Sequence, residues 1–213
     1  MLKKLTFLIL SGPTKEYIDS VRFISNDSSG MMGRALANAV TKKGYRVIFI
    51  SGPVNMFPTN VELIKVTTAL EMFKKVKLNF SKANIIISVA AISDYRPVKI
   101  YEHKIKKEKT RISIEFEQNP DIIKYCGKNK KNQVVVGFAL ETENLVNAAK
   151  LKLKNKKLDI IVANGKESFN SKVTTVYIIS SSSILEMKNK NKKLIAEKII
   201  YETIKIFRNI TSC

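Results

Sequence analysis

Short apolar runs punctuated by glycine and proline alternate along this chain with stretches of helical periodicity. Leu5–Leu10 is stopped by Ser11-Gly12-Pro13, and Tyr45–Ile50 by Ser51-Gly52-Pro53. Runs of that length with no polar face, bounded by turn residues, read as strands buried on both sides. Between them Met32, Leu36, Ala39 and Val40 fall at helical spacing from Met31 to Lys43, and Gly44 supplies a natural stop. The result is a β-α-β unit. Val61–Val66, Asn84–Ala90, Gln133–Phe138 and Leu158–Ala163 predict further strands, with helices expected at Ala69–Phe80, Asp121–Tyr125 and Glu143–Lys156. This alternation predicts an α/β fold, a Rossmann-like and mostly parallel sheet with helices on both faces.

Three stretches break the rhythm. Ser11 to Gly30 is much longer than the roughly 2–6 residues usual between a strand and a helix, and long ordered loops are often functional. Ser93 to Lys109 is a second excursion, followed by Arg111–Glu117, whose strict alternation predicts a half-exposed strand. At the end, Thr174–Met187 reads as a β-hairpin and Leu194–Phe207 as a closing helix. With no internal repeat and no linker, residues 1–213 are expected to form one domain.

Composition narrows the class. At 45% hydrophobic and 26% charged residues the chain is neither disordered nor fibrous. Its longest apolar stretch, Ile85 to Ile92, carries Ser88 and falls well short of the ~20 residues of a spanning helix, so no membrane association is expected. Met1-Leu2-Lys3-Lys4 before Leu5–Leu10 imitates a signal peptide. The apolar part is shorter than the roughly 7–15 residues required, and a buried first strand is the expectation. Two cysteines, Cys126 and Cys213, are too few for a disulfide framework and point to a reducing cytoplasm. The net charge of +20 suits polyanions, nucleic acid or phosphorylated small molecules, and equally suits lysine-rich solvated faces. The basic runs at Lys128–Lys131, Lys150–Lys157 and Lys188–Lys193 lack the interleaved aromatics that stack bases, so no specific nucleic acid is expected as partner.

In open parallel sheets ligands bind beyond the carboxyl ends of the strands. After the first strand come Arg22 and Ser25-Asn26-Asp27-Ser28-Ser29-Gly30, then Gly33, a polar approach to a helix start whose free N–H groups can hold an anion. An ordinary helix capped by Ser28 or Ser29 is the plain alternative. The Gly-x-Gly-x-x-Gly dinucleotide fingerprint is incomplete and its ribose-binding acid missing, which makes a nicotinamide-dependent reductase a minor alternative. The fourth strand runs through Ala90-Ala91-Ile92-Ser93 into Asp94, a carboxylate able to accept ligand hydroxyl or amino groups or a simple turn residue before Pro97. His103-Lys104-Ile105-Lys106-Lys107 alternates point charges suited to phosphates. Asn119-Pro120-Asp121-Ile122-Ile123 places a proline where a helix begins, and Gly137-Phe138 ends a strand on an aromatic. Lys152 and Lys156 share one helix face. His103 is the only histidine, so neither a histidine metal pair nor a Ser-His-Asp relay can be assembled.

The order of these segments is specific. Thr14-Lys15-Glu16-Tyr17-Ile18-Asp19-Ser20-Val21-Arg22-Phe23-Ile24-Ser25-Asn26-Asp27-Ser28-Ser29-Gly30, Ala90–Arg96, Lys104–Lys107, Asn119–Ile122, Gly137–Thr142 and Leu158–Asn164 together closely resemble phosphopantothenoylcysteine synthetase, also called phosphopantothenate-cysteine ligase. That family forms the second half of the bifunctional coenzyme A biosynthesis protein. The resemblance spans nearly the whole chain. It implies joining of 4′-phosphopantothenate to L-cysteine through an acyl-nucleotide, with CTP rather than ATP as the expected nucleotide and Mg2+ as the divalent cation. By motif position it implies catalytic roles for Asn26 and Lys104 and substrate binding by Arg22, Ser28, Ser29, Gly30 and Ala91. Nucleotide binding falls to Asp94, Lys104, Pro120, Asp121, Ile122, Ile123, Phe138, Lys152 and Lys156, and the segment after Lys104 to a flap. The metal ligands are not implied. A homodimer is expected, and since the chain begins at the ligase unit, no flavin is expected and decarboxylation should reside on a separate protein. Pro13, Met31 and Gly165 depart from the family pattern, Met31 by replacing a lysine beside the helix start.

Overall fold

The computed structural model describes residues 5–107, 110–140, 144–165 and 173–212. Twelve strands and five α-helices follow in the order β1 (Thr6–Ser11), β2 (Lys15–Tyr17), β3 (Phe23–Ser25), α1 (Met31–Lys42), β4 (Arg46–Ser51), β5 (Glu62–Lys65), α2 (Ala69–Asn79), β6 (Ile85–Ser88), β7 (Tyr95–Pro97), β8 (Phe116–Gln118), α3 (Ile122–Asn129), β9 (Val134–Leu140), α4 (Leu145–Asn155), β10 (Ile160–Asn164), β11 (Val173–Ser180), β12 (Ile184–Asn191) and α5 (Lys192–Thr211) among the described residues. Eight strands form one sheet in the order β12-β11-β10-β9-β6-β1-β4-β5. Six of them, β5 to β10 in that row, run parallel, and the C-terminal hairpin adds β11 and β12 antiparallel.

Alternation of side chains divides the core into two layers. Phe7, Ile9, Phe49, Ile87 and Val136 point to the face covered by Leu36 and Val40 of α1 and by Ile195, Ile199 and Ile200 of α5. Leu8, Leu10, Ile48, Ile86 and Val135 point to the other, under Met72 and Val76 of α2, Ile122 of α3 and Ala149 of α4. Because both faces are covered, the central strands are apolar through their middles, at Phe7–Leu10, Val47–Ile50 and Ile85–Ile87, with no alternating polar face. The fold class read from the chain is therefore the observed one, including the terminal hairpin and helix.

The irregular stretches hold the differences. Ser11 to Gly30 contains its own antiparallel hairpin, β2–β3. The alternating Arg111–Glu117 is not a strand along its length: only Phe116–Gln118 pairs, with β7. Alternation marks a strand only where one face has something to pack on, and here Ile112 and Phe116 stay exposed. The expected start of α4 at Glu143, the Glu141-Thr142 part of the motif, the flap residues 108–109 and Cys213 lie outside the described residues.

Candidate functional site

The chain leaves β1 toward β4 on one side and later returns to β6 on the other, so β1 and β6 flank the switch point where a crevice opens beyond the strand ends. Backbone pairing continues past both strands: Ala91 N donates to Gly12 O at 2.9 Å, and Thr14 N to Ala91 O at 3.3 Å. Thr14 Oγ1 accepts from Ser93 N at 3.0 Å, and Ser25 Oγ donates to Thr14 O at 2.8 Å. These bonds draw the end of β3 over the crevice. Asn26, next in sequence, donates its side-chain amide to the carbonyls of Ala91 (3.1 Å) and Ile92 (3.2 Å). Its own Oδ1 has no donor among the described residues. Asn26 and Ala91, read separately from the sequence, are thus in direct contact.

Helix α1 starts at the same place. Its N-cap is Gly30, at φ +69°, with no side chain accepting from the first turn. The alternative, a cap by Ser28 or Ser29, does not form, because a left-handed Gly30 turns the chain into the helix without the extended backbone that a capping Ser29 needs. The first-turn N–H groups stay available to a ligand, next to Ser28, Ser29 and Arg34 in a cleft of about 230 Å³. A Cβ on Gly33 would lie 2.0 Å from Ser11 Oγ, so only glycine lets the helix start press on the end of β1. Arg34 escaped the sequence reading. It lies one turn along from Met31 and places a cation in the cleft. Helical spacing from Gly30 was the signal that could have found it.

Arg22 and Ile105, the neighbour of Lys104, meet through Asp19, the second residue the sequence reading missed. The Asp19 carboxylate is fully buried and pairs with the Arg22 guanidinium through Nε (2.8 Å) and Nη2. It also accepts the backbone N–H groups of Val21 (2.9 Å), Arg22 (2.7 Å) and Ile105 (3.1 Å). The Arg22 guanidinium, then burial in the opposite sense, then these amides set its acidity: the carboxyl is held well below the usual carboxylate range. Lys104 precedes Ile105 and is exposed.

The nucleotide candidates assemble in part. Asn119 N donates to Asp94 O at 2.8 Å and Asn119 Nδ2 to Ser93 O at 2.9 Å, so β7–β8 brings Asp94 beside Pro120–Ile123. Pro120 is not the first helical residue. Asp121 is the N-cap of α3, its carboxylate accepting from Lys124 N at 3.0 Å, because an aspartate just before a helix is itself a strong cap. Lys156 Nζ lies 2.9 Å from the same carboxylate, and Lys152 is one turn away on α4. Phe138 does not join them: it is half-buried on the face of α1 and α5, opposite α3 and α4. The Ser93 hydroxyl, buried between Thr14 and Asn119, has no hydrogen-bond partner among the described residues. Among the described residues no group of three or more His, Cys, Asp or Glu could hold a metal ion, and no helix is long and apolar enough to cross a membrane.

Comparison with known proteins gives this geometry a context. The family model described as DNA/pantothenate metabolism flavoprotein C-terminal domain matches residues 2–206. The chain is 44% identical over 203 residues to the coenzyme A biosynthesis bifunctional protein CoaBC of Borreliella burgdorferi, covering 93% of this chain and 52% of that protein. It is 41% identical over 212 residues to the protein of the same name from Haemophilus influenzae, covering 97% and 53%. The chain thus spans about half the length of the curated relatives it matches. Among solved structures, a C-terminal domain of CoaBC superposes with a TM-score of 0.84 at 31% identity, covering 96% of each chain. A Cab2 mutant in complex with phosphopantothenate-cysteine shares the fold, at a TM-score of 0.83 and 19% identity over 98% of this chain and 88% of that one.

Proposed function

Because the chain belongs to the DNA/pantothenate metabolism flavoprotein C-terminal domain family, we propose that it is a phosphopantothenate-cysteine ligase, joining 4′-phosphopantothenate to L-cysteine with CTP as the nucleotide. A carboxylate oxygen of phosphopantothenate attacks the α-phosphorus and pyrophosphate leaves. The cysteine amine then attacks the acyl carbon, the amide forms as the nucleoside monophosphate departs, and the amine gives up a proton. The barrier in the first step is the approach of one anion to another. Oriented donors and positive charge lower it, and no protein nucleophile is consumed.

The observation that carries the reading is the bond from Asn26 to Ala91 and Ile92, beside a helix start with no side-chain cap. Asn26 thus stands a few residues before the free helix amides, which share a cleft with Ser28, Ser29 and Arg34. Asn26 positions the acyl-nucleotide, Ser28, Ser29 and Gly30 receive the substrate phosphate, and Lys104 offsets charge on the triphosphate. Asp94, Pro120–Ile123, Lys152 and Lys156 take the nucleotide, without Phe138, which lies on the other face of the sheet. Mg2+ is ordinarily held by one or two carboxylates together with substrate phosphates, and the exposed Asp94 or the neighbouring Asp121 would supply the protein's share. When bound, the ion shields phosphate charge. Exposed Val21, Phe23 and Ile24 of the first hairpin and Tyr95, Val98 and Tyr101 near the second give two copies an apolar surface to share, which supports a homodimer.

Purified protein with phosphopantothenate, cysteine, Mg2+ and CTP should release pyrophosphate and form phosphopantothenoylcysteine. The ligase reading fails if neither CTP nor ATP supports release; release with ATP alone overturns the CTP assignment.

A further inference from the structure

We propose that Asp19 is a positioning residue that sets Lys104 in place relative to Asn26. The inference rests on the ligase reading for its kinetic consequence. Its structural part stands on the contacts themselves.

Asp19 sits in the turn of the β2–β3 hairpin, outside the eight-stranded sheet. Nothing in the main core needs a carboxylate there, and burying one is costly unless it is paired and hydrogen-bonded. Asp19 is paired completely: Oδ1 takes the Val21 and Arg22 amides, and Oδ2 takes Arg22 and Ile105. The same junction is closed from the other side. Arg22 Nη2 donates to Ile105 O at 3.1 Å, and Tyr101 N donates to Ile18 O at 2.9 Å. Segment 101–105, which belongs to no long strand or helix, therefore hangs on this one hairpin turn.

The other end of the hairpin is fixed just as firmly. β3 runs directly into Asn26, which is tied to the end of β6. One short rigid element thus carries Asn26 at its exit and holds Lys104 at its turn. Two catalytic groups from opposite sides of the crevice share one mount, and Asp19 is the joint. An asparagine in its place offers one acceptor oxygen, and its NH2 would face donors of Arg22 and Ile105. That substitution should release segment 101–105 without touching the sheet.

The test compares Asp19→Asn with the unaltered protein. Trypsin cleavage after Lys104 and Lys106 should accelerate about tenfold or more. Nucleotide kcat/KM should fall between about tenfold and a hundredfold, as misplacing a reacting group does, while the KM for cysteine stays the same. Unchanged cleavage with unchanged nucleotide kinetics overturns the proposal. Either change without the other does so too: unchanged cleavage means that segment 101–105 keeps its place without Asp19, and unchanged kinetics means that this place does not matter to Lys104. Should the variant not fold, amide exchange in the unaltered protein decides: Tyr101 and Ile105 must exchange far more slowly than Glu102 and Lys106, and equal rates refute the clamp. A protein that releases no pyrophosphate with any nucleotide defeats the ligase reading, and cleavage and exchange still decide the clamp.

Discussion

Lys156, at the end of α4, closes an ion pair of 2.9 Å with Asp121, the cap of α3. Two positions that the sequence presents as independent nucleotide contacts therefore hold each other, and each helix end fixes the other. The pair is partly exposed, at 29% and 38% of the two side chains, so its own contribution to stability is small. Lys156→Gln should lower stability by less than about 1 kcal/mol. Under the ligase reading it should raise the KM for nucleotide severalfold while leaving the KM for cysteine alone. A urea melt and initial-rate kinetics measure the two effects separately.

Asn26 lies on an exposed loop and makes two hydrogen bonds to backbone carbonyls. Replacing it with alanine should cost no more than about 1.5 kcal/mol of stability. Chemistry should suffer more than folding. Pyrophosphate release is expected to continue while amide formation lags, so that acyl-nucleotide accumulates. Mass spectrometry of a quenched reaction, set beside a thermal melt, checks both.

Arg34 takes the place of a cation at the α1 cleft, where Met31 is neutral. A hydrogen bond to a charged group is worth about 1.5–3 kcal/mol, so Arg34→Gln should raise the KM for phosphopantothenate about tenfold or more. Adding Met31→Lys to that variant should recover much of the loss. The double variant distinguishes a charge placed at the helix start from the packing of Arg34 against Met56.

Cys126 is buried, and burial followed by the nearby Asp121 charge pushes its thiol up to about 12 from an ordinary 9.0. Between these values the folded protein holds a proton that the unfolded chain releases. Its contribution to stability is therefore complete below pH 9 and declines as pH rises toward 12. At pH 8 the thiol is protonated and covered. Iodoacetamide should leave the Cys126 peptide unmodified in native protein and label it readily in urea, as peptide mass spectrometry would read.

The parallel sheet was legible because strands such as Leu5–Leu10 and Tyr45–Ile50 hold unbroken apolar runs, Phe7–Leu10 and Val47–Ile50, and that pattern has few other uses. The helices followed from their spacing and the family from the order of its motifs. Arg111–Glu117 misled because alternation is a property of the chain, whereas a covered face is a property of its neighbours. At α1 the sequence leaves a serine cap and an open helix start side by side, and the left-handed turn at Gly30 decided for the open one.

By itself, then, the sequence determined most of the strands and helices and pointed to the loops on which the ligase reading rests, since both depend on residues close together in the chain. Tertiary structure alone decided that Asn26 touches Ala91, that Phe138 faces away from Lys156, and that Asp19 joins Arg22 to Ile105. Those relations span tens of residues, and they depend on which strand ends the sheet order brings side by side.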